Sequence, residues 1–235
     1  MFTIKVAEHV FRIDNKYPFI YIMCERFYTD ETPEALISVT EEEMERERGV
    51  HFAPYFLEYL AVHRKINEYL FDHGMLLFHG GCVTVDGEAY LFTAPSGTGK
   101  TTITKHWRNW LGDSRSFRVS DDKPFLRITD SGVVIYGSPW DGRYLFSANV
   151  SAPLKAVCLL EQGETNHIEA ITPSEALPEL FRQAYRPPDP AGMEKALSMV
   201  VKLSGSVKLY RLRCTAEPEA ARVAYYGMHE GKETQ

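Results

Sequence analysis

The chain has 235 residues, 44% of them hydrophobic, enough to bury one sizeable core or a core with a small appendage. Its formal charge of −6 argues against a nucleic-acid backbone or an anionic membrane as main partner, because neither attracts a net acidic surface. Cys24, Cys82, Cys158 and Cys214 are scattered, with no CxxC pair and no His cluster at zinc-ligand spacing, and they read as buried thiols in a reducing compartment.

The opening stretch MFTIKVAEHVFRID mixes charge with single apolar residues and lacks the apolar core of a secretion signal. No later segment approaches the ~20 apolar residues that span a bilayer, so a cytoplasmic location is expected. Residues 2–40 carry two short β-like runs, FTIKV and PFIYIMC, and residues 1–50 read as a small β-rich cap packed on the core. EEEMERER reads as a solvated helical turn or an exposed loop. From Ala53 to His73 apolar residues recur at helical spacing (Tyr55, Phe56, Tyr59, Leu60, Ile66, Leu70), with Pro54 in the first turn and Gly74 as the stop.

MLLFH then leads through a Gly80-Gly81 turn into CVTVDGEAYLFTA, a hairpin about Asp86-Gly87. Thr101 to Leu111 predicts a helix with Ile103, Trp107, Trp110 and Leu111 on one face and Gly112 at its end. Strands are expected at SFRVS, GVVIYG and AVCLL, the last covered on both faces. Thr172-Pro173-Ser174-Glu175 has the form of a capping box and opens a helix to about Tyr185. RPPDPAG separates it from a helix ending at Gly205, and the strand VKLYRLRC and the helix PEAARVAYYG follow. Residues 51–235 thus read as one α/β core domain, a sheet with helices packed on it.

The stretch APSGTGKTT, Ala94 to Thr102, lies at the junction of a predicted strand and helix. It meets the phosphate-loop pattern at Gly99, Lys100 and Thr101, with Ala94 in place of the first glycine. What cradles a phosphate is a ring of backbone N–H groups at a helix N-terminus, here drawn from Ser96, Gly97, Thr98, Gly99, Lys100 and Thr101, with Thr102 closing the motif. Lys100 supplies positive charge to the β- and γ-phosphates, and the Thr101 hydroxyl is a ligand for Mg²⁺. The cofactors expected are therefore ATP and Mg²⁺. Such a site needs a carboxylate at a strand end, and Asp121-Asp122 in FRVSDDKPF meets that need. One carboxylate can hold the metal while its neighbour, pointing the opposite way, accepts a proton from an attacking hydroxyl.

His79-Gly80 ahead of a glycine-bearing hairpin, SGTGKTT directly after it, and paired aspartates on the next strand together resemble one family. It is that of HPr kinase/phosphorylase and ATP-dependent phosphoenolpyruvate carboxykinase, and the likeness lies closest to its smaller kinase-like relatives. The similarity spans about Leu76 to Asp122, with weaker traces in GSPWDGR and APLKAVCLLEQG. It implies a P-loop core of that type, a mixed sheet flanked by helices. It also implies that Lys100 and Thr101 bind nucleotide phosphate and metal, that Asp121 is general base and Asp122 metal ligand or the reverse, and that His79 lies beside the γ-phosphate. Members often form oligomers, so a homo-oligomer is one expectation. The region of the HPr-enzyme signature reads IYGSPWDGR here, and the chain is too short for a carboxykinase.

Weaker candidates remain. Arg143, in the loop GSPWDGR, can neutralise a transferring phosphoryl group or be an ordinary surface arginine, and Trp140 and Asp141 form a packed turn or an acceptor pocket. Arg182 and Arg186 can bind an anionic substrate or only helix carbonyls and water. His106 and His167 have no partners at informative spacing. The function expected is a Mg²⁺-dependent kinase that passes the γ-phosphoryl of ATP to a hydroxyl of a small molecule or of a serine in a peptide or protein. A nucleotide-binding sensor or assembly protein, and a phosphorylase running the same site in reverse, are the alternatives.

Overall fold

The computed structural model describes residues 1–48, 52–140 and 147–230. β1 (Phe2–Val6) and β2 (His9–Asp14) pair antiparallel, and β3 (Ala35–Ser38) joins β2 in parallel to complete a small sheet. The run PFIYIMC, expected as a strand, is instead the helix α1 (Pro18–Met23). Pro18 presets the first-turn φ, and a short apolar run carries no period that separates helix from strand. The acidic run forms α2 (Glu41–Glu45), opened by a reciprocal pair of bonds between Thr40 and Glu43. The helix expected from Ala53 onward is α3 (Pro54–Asp72). Its Leu57, Val62, Ile66 and Leu70 are buried in a cluster with Ile4, Phe11 and Ile13 of the small sheet and with Phe125, Tyr136 and Trp140 from beyond it. Buried Glu58 ties the helix to its neighbour by accepting the N–H groups of Lys16 and Tyr17.

The large mixed sheet contains β4 (Met75–Leu77), β5 (Gly81–Val85), β6 (Glu88–Thr93), β7 (Ser116–Ser120), β8 (Phe125–Thr129), β9 (Gly132–Tyr136), β10 (Ser151–Gln162), β11 (His167–Ala170) and β12 (Lys208–Cys214). Its order is β4-β8-β9-β10-β6-β5-β7, with β12 along β10 and β11 along β12. β10 makes the sheet curl, because it pairs first with β9 and then, further along, with β12 on that flank, while β6 runs along the other. The expected AVCLL is only the middle of this longer strand.

Helices cover both faces. α4 (Lys100–Leu111) and α7 (Glu219–Glu230) pack on Tyr90, Phe92, Ala156 and Cys158, while α5 (Pro173–Gln183) and α6 (Pro190–Ser206) pack on Leu91, Val157 and Leu159. Each central strand therefore sends alternate side chains into two cores, the signature of a sheet buried on both sides. Trp107 anchors α4, fully buried with ring centroids 5.2 Å from Tyr90 and 5.3 Å from Phe92. No helix among the described residues is long and apolar enough to cross a membrane.

Strand direction decides where chemistry can gather. β6, β10 and β12 are mutually parallel, so Thr93, Gln162 and Cys214 end at one edge. β5 runs antiparallel to both β6 and β7. The start of β5, just after His79, and the end of β7, just before Asp121, therefore lie at that same edge. Ligands of open α/β sheets bind outside the carboxyl ends of the parallel strands.

Candidate functional site

The loop between β6 and α4 turns on two glycines in conformations that other residues adopt only with strain, Gly97 at φ +82° and Gly99 at φ +118°. No side chain caps α4, so the N–H groups of its first turn, at Lys100, Thr101 and Thr102, lack helical acceptors and form the positive end of the helix. Ser96 and Gly97 are exposed and Thr98 half-buried. The Lys100 side chain folds back, and its ammonium donates to the Ala94 carbonyl at 2.9 Å and the Pro95 carbonyl at 3.2 Å. Burial pulls the Lys100 pKa down, against the opposing pull of Asp122 and Asp121.

The two adjacent carboxylates lie in different surroundings, Asp121 against the loop's Thr101 and Asp122 against His79. Thr101 Oγ1 donates to Asp121 Oδ2 at 3.4 Å. Asp121 is only 3% exposed, and the equally buried Arg118 guanidinium lies 3.8 Å from its other oxygen. Asp122 is more open and pairs with His79, Nε2 to Oδ1 at 3.2 Å. Burial raises the Asp122 pKa, but the bond and charge of His79, with Lys123 and Lys100, outweigh it and leave the carboxyl below its ordinary range.

His79 is fixed on every side. Its N–H donates to the Gln183 carbonyl at 2.8 Å, its carbonyl accepts from Thr93 Oγ1 at 2.8 Å, and Nδ1 lies 2.6 Å from Gln183 Oε1. Gly80 N–H donates to the Asp122 carbonyl at 2.9 Å, lacing the segment before β5 to the segment after β7. Sequence reasoning missed Arg118, Thr93 and Gln183. Arg118 carried no more signal than any strand arginine, and Gln183 is 104 residues from His79.

On the β10 and β12 side of the loop lies a cavity of about 370 Å³, lined by Gly97, Thr98, Thr102, His106, Gln162 and Thr215, among others. Gln162 Nε2 donates to the Gly97 carbonyl at 3.4 Å, and His106 Nε2 donates to the Ala216 carbonyl at 3.0 Å. His106 thus has a definite place, whereas His167 sits exposed on β11. Arg182 is engaged by Glu179 and the Pro178 carbonyl, and Arg186 lies over the Phe181 ring. Trp140 is buried and stacked on His63 with ring centroids 4.7 Å apart, while Asp141 and Arg143 lie outside the described residues.

Among the described residues no three His, Cys, Asp or Glu side chains converge as a metal cage. The oxygens of Thr101 and Asp121 are nonetheless hard donors of the kind Mg²⁺ takes, which in phosphate sites keeps waters and substrate oxygens as its other ligands.

No protein-family model matches the chain, and no curated protein matches it. Among the solved structures that align with it, the Hpr(Ser) kinase/phosphatase from Coxiella burnetii covers 67% of this chain and 99% of its own, at 9% identity and a TM-score of 0.37. A likeness that slight decides neither fold nor function.

Proposed function

We propose that the chain is a Mg²⁺-dependent phosphotransferase that moves the γ-phosphoryl of ATP to a hydroxyl of a small molecule or of a serine in a peptide or protein. The observation that carries this reading is the 3.4 Å approach of Thr101 Oγ1 to Asp121 Oδ2, which joins the glycine loop to the paired carboxylates. The nucleotide phosphates lie on the N–H groups of residues 96–102, and the cavity beside the loop, within the ~300–1,000 Å³ usual for small ligands, takes the nucleoside end. Thr101 and Asp121 would hold the metal, which would supply positive charge against that of the phosphate oxygens.

Asp122 is the general base in this reading, because Asp121 is committed to Thr101 and Arg118. The acceptor oxygen bonds to the γ-phosphorus as the bond to the departing diphosphate oxygen breaks, and the acceptor's proton passes to Asp122. Lys100 leaves the loop carbonyls for the phosphate oxygens. Positioning and electrostatics supply most of the rate.

Calorimetric titration with a non-hydrolysable ATP analogue, with and without Mg²⁺, tests the foundation. Wild type should bind and Lys100→Ala should bind at least tenfold more weakly. Failure of wild type to bind in either condition defeats the proposal. Asp122→Asn separates a kinase from a sensor, since a kinase loses turnover but keeps nucleotide affinity.

A further inference from the structure

Gln183 ends α5, far in sequence from the glycine loop, yet its side chain touches the imidazole of His79, which faces Asp122. Its amide is not free to turn. Gln183 Nε2 donates to Glu179 Oε1 at 2.7 Å, and Glu179 Oε2 faces the Arg182 guanidinium at 3.0 Å, so both Glu179 oxygens accept. With its NH₂ committed to Glu179, Gln183 presents Oε1 to His79, and Oε1 can only accept as well. The proton between Gln183 and His79 therefore belongs to Nδ1. That leaves the Nε2 edge facing Asp122 Oδ1 at 3.2 Å.

The alternative arrangement has its own attraction. A lone imidazole beside a carboxylate gains most by placing its proton on Nε2 and donating it there. Glu179 and Gln183 together oppose that choice.

We propose that Gln183, oriented by Glu179, is a positioning residue that commits the Nδ1 proton of His79 and thereby leaves Nε2, which faces Asp122, as the nitrogen that is bare in the neutral ring. The claim rests on the phosphotransferase reading only for its effect on turnover, and its tautomer content stands alone. Gln183 touches no reacting atom and acts through His79. The bond from the His79 N–H to the Gln183 carbonyl is made by main chain and does not involve this side chain.

The test is long-range ¹H–¹⁵N correlation of the imidazole nitrogens in the full-length protein, followed from neutral to mildly alkaline pH. In wild type Nδ1 of His79 should keep its proton throughout. In Gln183→Leu, Nδ1 should become bare as the ring neutralises and the proton should reside on Nε2. Glu179→Met, which touches neither His79 nor Asp122, should give the same result by freeing the amide to rotate, and Gln183→Glu should restore the wild-type pattern. A bare Nδ1 in wild type, or an unaltered pattern in both Gln183→Leu and Glu179→Met, overturns the proposal. Turnover should fall on the order of tenfold in Gln183→Leu with nucleotide KM unchanged, and recover in Gln183→Glu. Unchanged turnover alongside the altered tautomer removes the link to the reaction. If wild type transfers no phosphoryl group at all, the reading of function fails while the nitrogen shifts still decide the tautomer.

Discussion

Asp121 and Asp122 are adjacent in the chain but differ sharply in surroundings, the first with a side chain 2% exposed beside buried Arg118 and the second 27% exposed beside His79. Removing one member of a buried ion pair leaves the other's charge unsolvated and costs about 3–5 kcal/mol, whereas an accessible pair is worth ~1 kcal/mol or less. Asp121→Asn should therefore destabilise the protein by about 3 kcal/mol and Asp122→Asn by no more than about 1 kcal/mol. Urea unfolding of the two variants beside wild type measures this. Equal midpoints for the two would show that the Arg118 contact does not hold the site together.

Gly80 is packed too closely for any side chain. A Cβ there would lie 2.7 Å from Leu91 Cδ1 and 2.9 Å from the Phe92 carbonyl oxygen, and the second is backbone of β6 that cannot rotate away. Gly80→Ala should destabilise by about 1–3 kcal/mol, as overpacking does, and should push the preceding His79 out of line with Asp122. Denaturation gives the first effect, and loss of turnover beyond the loss of folded protein gives the second. A variant as stable and as active as wild type would contradict the packing.

How legible the molecule is from its sequence follows from how local each feature is. The strand, glycine loop and helix from Glu88 to Leu111 are consecutive, and residue types at fixed spacing suffice to predict them. The Thr172–Glu175 cap and the unbroken burial of Val157 to Leu160 are equally local. The contacts that complete the site join distant segments: Gln183 meets His79, and Arg118 is buried beside Asp121 only because β7 adds to the edge of β5. The length of β10 was hidden by Pro153, a residue that usually marks a strand's margin and here pairs with Val134 of β9. β8, running from Phe125 to Thr129, was missed because the preceding Asp-Asp-Lys-Pro reads as a turn.

His63 is buried face to face with Trp140, and its Nε2 has no hydrogen-bond partner among the described residues. Burial, aided by the charge of Lys123, drives its pKa well below the ordinary value of 6.5. Below about pH 6.5 the unfolded chain therefore takes up a proton at His63 that the folded chain refuses, so stability falls as pH falls, by up to ~1.4 kcal/mol per pH unit from this group. Above that range the ring is neutral in both states and contributes no slope. His63→Phe keeps an aromatic ring against Trp140 and cannot take up a proton. Its stability relative to wild type should rise as pH is lowered through the acid range and stay level above neutrality. Urea unfolding at a series of pH values shows the difference, and parallel stability curves for the two proteins would mean that His63 titrates alike folded and unfolded.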